Sequence, residues 1–236
     1  MRKPKHPPKK VVLFIVEGNS DQEALSSILT KLYKNNRHIK FAITNGDVTS
    51  DPETTVSQVE SVVTGIVKTY ITENKLQKSD MFQVVQIFDM DGAYIPDEAV
   101  IRGSSGKFYY TPTNISCLAP GDAITRNEHK RSLMDALLKL DSVYGINYEK
   151  YFMSCNLDHV LYDEQNLDAD EKLERAYEFH LAFQDQEQIF PIFLEQNAGN
   201  DVPKDLDASW DYIKTDLHSL ERHTNLHLYF SLHPIL

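Results

Sequence analysis

Hydrophobic residues fall along this chain as unbroken apolar runs that alternate with stripes at helical spacing. The first run is Val11-Val12-Leu13-Phe14-Ile15-Val16. A run so short and so apolar predicts a strand buried on both faces. Leu25, Ile28, Leu29 and Leu32 then form a helical stripe, introduced by Ser20 and Glu23 as a capping-box pair and broken by Asn35, Asn36 and Arg37. Lys40 to Thr44 predicts a short strand, ended by Asn45-Gly46-Asp47. A second helix is expected from about Pro52 into the seventies, with Val56, Val59, Val63, Ile66, Val67 and Tyr70 on one face. A third strand follows at Phe82-Gln83-Val84-Val85-Gln86-Ile87-Phe88. This order predicts right-handed crossovers and an α/β fold, a parallel sheet flanked by helices.

The rhythm lapses between Gly92 and Gly121, where Pro96, Gly103, Gly106, Pro112, Pro120 and the pair Tyr109-Tyr110 stand. This stretch reads as an inserted loop or small hairpin near the mouth of a site, serving as a lid, a dimer contact or a substrate guide. Alternation resumes with Thr125 and Glu128 as a capping-box pair, then Leu133, Leu137 and Leu140, then a strand through Tyr151-Phe152-Met153 that ends at Ser154-Cys155-Asn156. Beyond Asp163 a C-terminal α+β appendage is expected. One helix carries Leu173, Ala176, Tyr177 and His180, and another carries Trp210, Ile213, Leu217 and Leu220. A final strand alternates Leu226, Leu228, Phe230 and Leu232 with His227, Tyr229 and Ser231. The chain thus divides into a tail at 1–10, a main domain at 11–160 with its insert at about 92–121, and an extension at 161–236 packed on the same domain.

Composition narrows the function classes. The chain has 236 residues, 41% hydrophobic and 25% charged, which describes an ordinary globular protein with a sizeable core. No apolar run approaches the roughly 20 residues that cross a bilayer, so no membrane role is expected. The basic start followed by six apolar residues lacks a small-residue cleavage site, and a cytoplasmic location is expected. Cys117 and Cys155 are too few for a disulfide framework or a zinc ribbon. The net charge of −11 argues against a tight grip on long duplex. Positive charge gathers at Arg2, Lys3, Lys5, Lys9 and Lys10, among Pro4, Pro7 and Pro8, a segment that reads as a solvated tail rather than a phosphate-gripping arm.

Acids punctuate the strands. Glu17 ends the first run, Asp89 ends the third, and Asp91 follows after one residue. Carboxylates at adjacent strand ends gather where a parallel sheet meets solvent, and two or three of them suffice for Mg2+, which keeps several waters. Gly18 and Gly92 each follow an acid, where the backbone turns sharply or a phosphate approaches closely.

The words Val16-Glu17-Gly18-Asn19-Ser20-Asp21 and Phe88-Asp89-Met90-Asp91-Gly92, in this order with a helix between, resemble the Toprim domain. That family includes stand-alone proteins and OLD-type nucleases, and the resemblance covers about the first 155 residues. It implies a Rossmann-like sheet, a metal pair at Asp89 and Asp91, and Glu17 as general acid, general base or further ligand. It also implies Mg2+ or Mn2+ as cofactor, nucleic acid as partner, and hydrolysis of phosphodiester bonds in RNA processing or phage defence. Where several members carry a third aspartate, this chain has Ala93. A further ligand is therefore sought at Asp158, with Asn156, Asp21 and Asp47 as secondary candidates. Asp21 also reads as a helix N-terminal charge, and Asp47 as a turn residue. Whether the partner is RNA or DNA, and whether the chain is a homodimer or meets a partner protein, the residues leave open.

Other readings are weaker. Phe88 to Gly92 also resembles the first motif of haloacid-dehalogenase phosphatases, which would make Asp89 a nucleophile but leaves Glu17-Gly18 unexplained. A non-catalytic nucleotide- or partner-binding module is the third reading. Gly103 to Lys107 is not a phosphate loop, since Ile101 and Phe108 occupy its first Gly and its Ser/Thr positions. His218, His223, His227 and His233 do not form a convincing zinc set.

Overall fold

A computed structural model of the chain describes residues 11–35, 37–44 and 47–234. The basic tail, Asn36 and the Asn45-Gly46 part of the expected turn lie outside the described residues.

Six strands build the central sheet, in the order β2 (His38–Ile43), β1 (Val11–Val16), β3 (Met81–Asp89), β8 (Ile146–Ser154), β7 (Ser142–Val143), with β9 (His223–Thr224) also on β8. The pairs β1–β2, β1–β3 and β3–β8 are parallel, while β7 and β9 run antiparallel to β8. The molecule is an α/β protein with a mostly parallel, Rossmann-like sheet between helices. Alternation along β1 divides its side chains between the faces. Val12, Phe14 and Val16 pack with α1 (Asn19–Leu32), α4 (Leu157–Tyr162), α5 (Ala169–Ala182), α6 (Phe190–Leu194) and α8 (Leu226–Leu232). Leu13 and Ile15 pack with α2 (Val59–Glu73), α3 (Pro120–Leu138) and α7 (Leu206–Ile213). Both faces are dry, which is why β1 contains no polar position.

The helix starts differ from the sequence expectation. α1 is capped two residues earlier than Ser20: Gly18 is its N-cap, and the Asp21 carboxylate accepts the Gly18 and Glu17 N–H groups at 2.9 and 3.1 Å. The chain passes from β1 into the helix with no spare residue, so the cap falls on the residue after Glu17. α2 begins at Val59 rather than near Pro52, because Asp51 and Thr55 hold the preceding residues in turns. Val56 accordingly stays exposed. α3 begins with Pro120 at its first turn instead of Thr125; proline lacks only an N–H that the first turn leaves unused.

The insert is a three-stranded sheet of its own rather than a loop or hairpin. β4 (Val100–Arg102), β6 (Asn114–Cys117) and β5 (Tyr109–Thr111) lie in that order, and Ile95, Val100, Ile115 and Cys117 pack it against Ala123, Cys155 and Leu220. Both cysteines are buried free thiols.

The C-terminal extension shares the main core. α5 forms where expected, although Leu173 and Tyr177 stay exposed and Ala176 carries its packing. α7 stops at Ile213, so Leu217 and Leu220 follow it in turns. The expected final strand is wrong: Leu226–Leu232 is a helix. His227 and Tyr229, read as the wetter face, are buried with Leu226, Leu228 and Phe230. Tyr229 is wedged among Phe14, Tyr33 and Tyr151 at ring separations of 5.5, 5.9 and 5.6 Å. Leu226 to Phe230, buried on every side, carry no one-faced period, and the alternation in their sequence had no face to report.

Candidate active site

Parallel order places the C-terminal ends of β1, β3 and β8 along one edge, the usual ligand position in open α/β sheets. Glu17 leaves β1, Asp89 is the last residue of β3, and α4 departs from the end of β8. A cavity of ≈ 330 Å³ lies over this edge. Glu17, Asp89 and Asp91 form its floor; Lys107, Tyr109 and Tyr110 reach it from the insert, and Asn156 and Lys172 from the segment after β8.

The turn after β3 is pinned by backbone hydrogen bonds. Asp91 has φ 50° and Gly92 φ 66°. The Asp91 N–H donates to the Cys155 carbonyl at 2.6 Å and the Gly92 N–H to the Ser219 carbonyl at 2.9 Å; the Ser154–Cys155 peptide beside them is cis. A Cβ at Gly92 would stand 2.6 Å from Leu220 and 2.9 Å from Ile115. Gly92 is thus required by its sharp turn, one of the two roles expected of it, and by close packing against the insert. Gly18 is extended at φ −138°, and a Cβ there would meet nothing nearer than 3.8 Å. The backbone does not demand glycine at that position.

Around the edge the carboxylates fall into two groups. In one, Lys130 of α3 is fully buried and its ammonium contacts Asp47 Oδ2 and lies 2.7 Å from Asp91 Oδ2. One helical turn earlier, Arg126 donates to the Asp91 carbonyl at 3.2 Å and sits 3.7 Å from its carboxylate. The Arg126 guanidinium in turn stacks over Phe108 at 4.8 Å, tying this pair to the insert. Asp47 also accepts from the hydroxyls of Thr49 and Ser50. Burial pushes the Asp47 carboxyl up, but Lys130 and these hydroxyls outweigh it and hold the group at about 2. Burial likewise disfavours the Lys130 charge, and Asp47, Asp91 and Glu17 together keep it firmly protonated.

The other group is Glu17 and Asp89. Asp89 Oδ1 accepts the Leu157 N–H at 2.8 Å. Glu17 has no side-chain hydrogen bond or ion pair among the described residues. Burial raises the Glu17 carboxyl well above its ordinary value, and the charges of Asp47 and Asp89 add to the rise, against only Lys130. Asp89 is raised by burial and then by Asp21 and Asp91, with Lys130 and Lys172 opposing. Uncompensated acids packed together in this way are what a bound cation would relieve.

The remaining candidates divide. Asp158, sought as a further ligand, is buried in the first turn of α4 and paired with Lys172 at 2.8 Å, and it does not line the cavity. Its Oδ1 has no hydrogen-bond partner. Asn156 lines the cavity but is engaged as the α4 cap, accepting the His159 N–H at 2.9 Å and donating to the Gln165 carbonyl at 3.0 Å. Asp21 is the capping charge of α1. Asp47 holds a turn, accepting the Thr49 N–H at 2.7 Å, besides its pairing with Lys130. Among the described residues no three His, Cys, Asp or Glu side chains are arranged to hold a metal ion. Glu17 and Asp89 remain as an oxygen pair facing one cavity, a donor set that suits Mg2+, which is often held by one or two carboxylates plus water and phosphate.

Sequence reasoning missed the three cations Arg126, Lys130 and Lys172. Lys130 left a trace: it stands in a buried stripe with Ala123, Asn127, Leu133 and Leu137 on α3, where an apolar residue belongs. Lys172 left none, since its partner Asp158 lies on a different helix.

Comparison with protein-family models, with curated proteins and with solved structures returned no match to this chain.

Proposed function

We propose that the protein hydrolyses phosphodiester bonds of nucleic acid with the help of Mg2+ or Mn2+, at a Toprim-like acidic edge formed by Glu17, Asp89 and Asp91. The observation that carries the reading is the pair Glu17 and Asp89: two acids from adjacent strand ends, facing one cavity, with no cationic side chain among the described residues bonded to either. Those two residues are the ones that would hold the ion. When bound, a divalent cation supplies charge to a phosphate oxygen and lowers the pKa of water.

The chain's own groups do the rest. The Leu157 N–H fixes one Asp89 oxygen. Glu17, whose side chain makes no hydrogen bond or ion pair among the described residues, would either hold the ion beside Asp89 or move a proton at its carboxylate, work typically contributing about 10²–10⁴-fold. Lys172 holds a positive charge in the cavity wall, where a phosphate would sit. The exposed ring of Tyr109 and the side chain of Lys107 at the rim suit a base and its backbone phosphate.

The test incubates the purified protein with labelled RNA, single-stranded DNA and duplex DNA, in Mg2+, Mn2+ or chelator, beside Glu17→Gln and Asp89→Asn. Metal-dependent cleavage that both variants lose is the expected result. Cleavage that persists in chelator, or in both variants, contradicts the proposal.

A further inference from the structure

Lys130 is an unusual occupant for the core of an acidic site. Its side chain has no exposure to solvent, it enters from α3, and its ammonium sits between Asp47, which follows β2, and Asp91, which follows β3. An ammonium held by two carboxylates at hydrogen-bond distance occupies the geometry that a cation bridging those carboxylates would take. Arg126, four residues earlier on the same helix face, adds a second fixed charge next to Asp91. Asp47, Asp91, Lys130 and Arg126 therefore sum to zero charge, and Asp91 Oδ2 already has its cation.

Among the described residues Glu17 and Asp89 have no such partner. Asp89 keeps one oxygen on the Leu157 N–H and the other free of any hydrogen bond among the described residues, and both side chains line the cavity. A second divalent ion beside Asp91 would have to displace a buried ammonium that cannot swing to solvent. Like charges at such separations, away from bulk water, repel strongly.

We infer that the site takes a single divalent cation, on Glu17 and Asp89, because the Lys130 ammonium permanently fills the place beside Asp47 and Asp91 where a second would bind. Asp91 is then a positioning residue: it anchors Lys130 and the turn after β3. This inference rests on the metal-dependent reading above.

Stoichiometry tests it, measured by Mn2+ titration with calorimetry and with the electron-spin-resonance signal of free Mn2+. Wild-type protein is expected to bind one ion, Asp91→Asn still one with weaker affinity, and Asp89→Asn to lose at least 10-fold in affinity. Lys130→Gln is expected to bind two ions, and its melting temperature should rise with Mn2+ by more than that of the wild type. Two ions on the wild-type protein, or a single ion on folded Lys130→Gln, overturns the inference while leaving the metal-dependent reading intact. No ion on the wild type overturns both. Should Lys130→Gln not fold, the wild-type and Asp91→Asn counts decide between one ion and two.

Discussion

Two halves of one acidic edge, built from the same kind of side chain, stand in opposite electrostatic states. Asp47 and Asp91 are neutralised within the fold by Lys130 and Arg126. Glu17 and Asp89 are packed among other acids and lack a bonded cation among the described residues. Burial is common to both halves; the difference is α3, which delivers two positive side chains one helical turn apart to one half only. The first half is a structural device. The second retains an unmet demand for positive charge, as functional sites often do.

Substitutions can break this contrast or sharpen it. The largest effect is expected on activity: Glu17→Gln should cost about 10²–10⁴-fold in cleavage rate, read from single-turnover kinetics on the labelled substrates. Next is Lys130→Ala, which strands two carboxylates beside each other and should destabilise the fold by about 3–5 kcal/mol in urea titration. A smaller loss is expected for Asp47→Asn, and it is pH-dependent. A carboxyl lowered from 3.8 to about 2 in the folded chain adds stability above pH 3.8, and that stability disappears as pH falls from 3.8 towards 2. The difference between wild type and Asp47→Asn should therefore be about 2 kcal/mol near neutral pH and vanish by about pH 2. The smallest effect has the opposite sign. A glutamate raised by burial and like charges opposes folding above its unfolded pKa, so Glu17→Gln without metal should raise the melting temperature at neutral pH, a gain that shrinks as pH falls towards the unfolded pKa. Loss of activity joined to gain of stability would mark the unneutralised half as functional.

What the sequence made legible follows from what its patterns encode. β1 and β3 were readable as short, mainly apolar runs, and the stripe of α1 because it reports burial on one face. The acids at Glu17, Asp89 and Asp91 were readable because a strand's last residue in a parallel sheet has a known address. Lys130 was not, because its partners come from the β2–α2 loop and the turn after β3, remote in the chain. The helix Leu226–Leu232 was misread as a strand because its enclosed part, Leu226 to Phe230, shows no periodicity that separates inside from outside. The insert offered turn residues without a pattern long enough to reveal three strands of three or four residues each.

Thermal unfolding of wild type and Glu17→Gln against Mn2+ concentration tests the central claim most directly. Binding to the folded state alone raises stability in proportion to the logarithm of ligand above its Kd. The wild-type melting temperature should climb steadily with Mn2+, while Glu17→Gln should start higher and stay flat. Equal climbs in the two proteins, or none in the wild type, would contradict a cation site at Glu17 and Asp89.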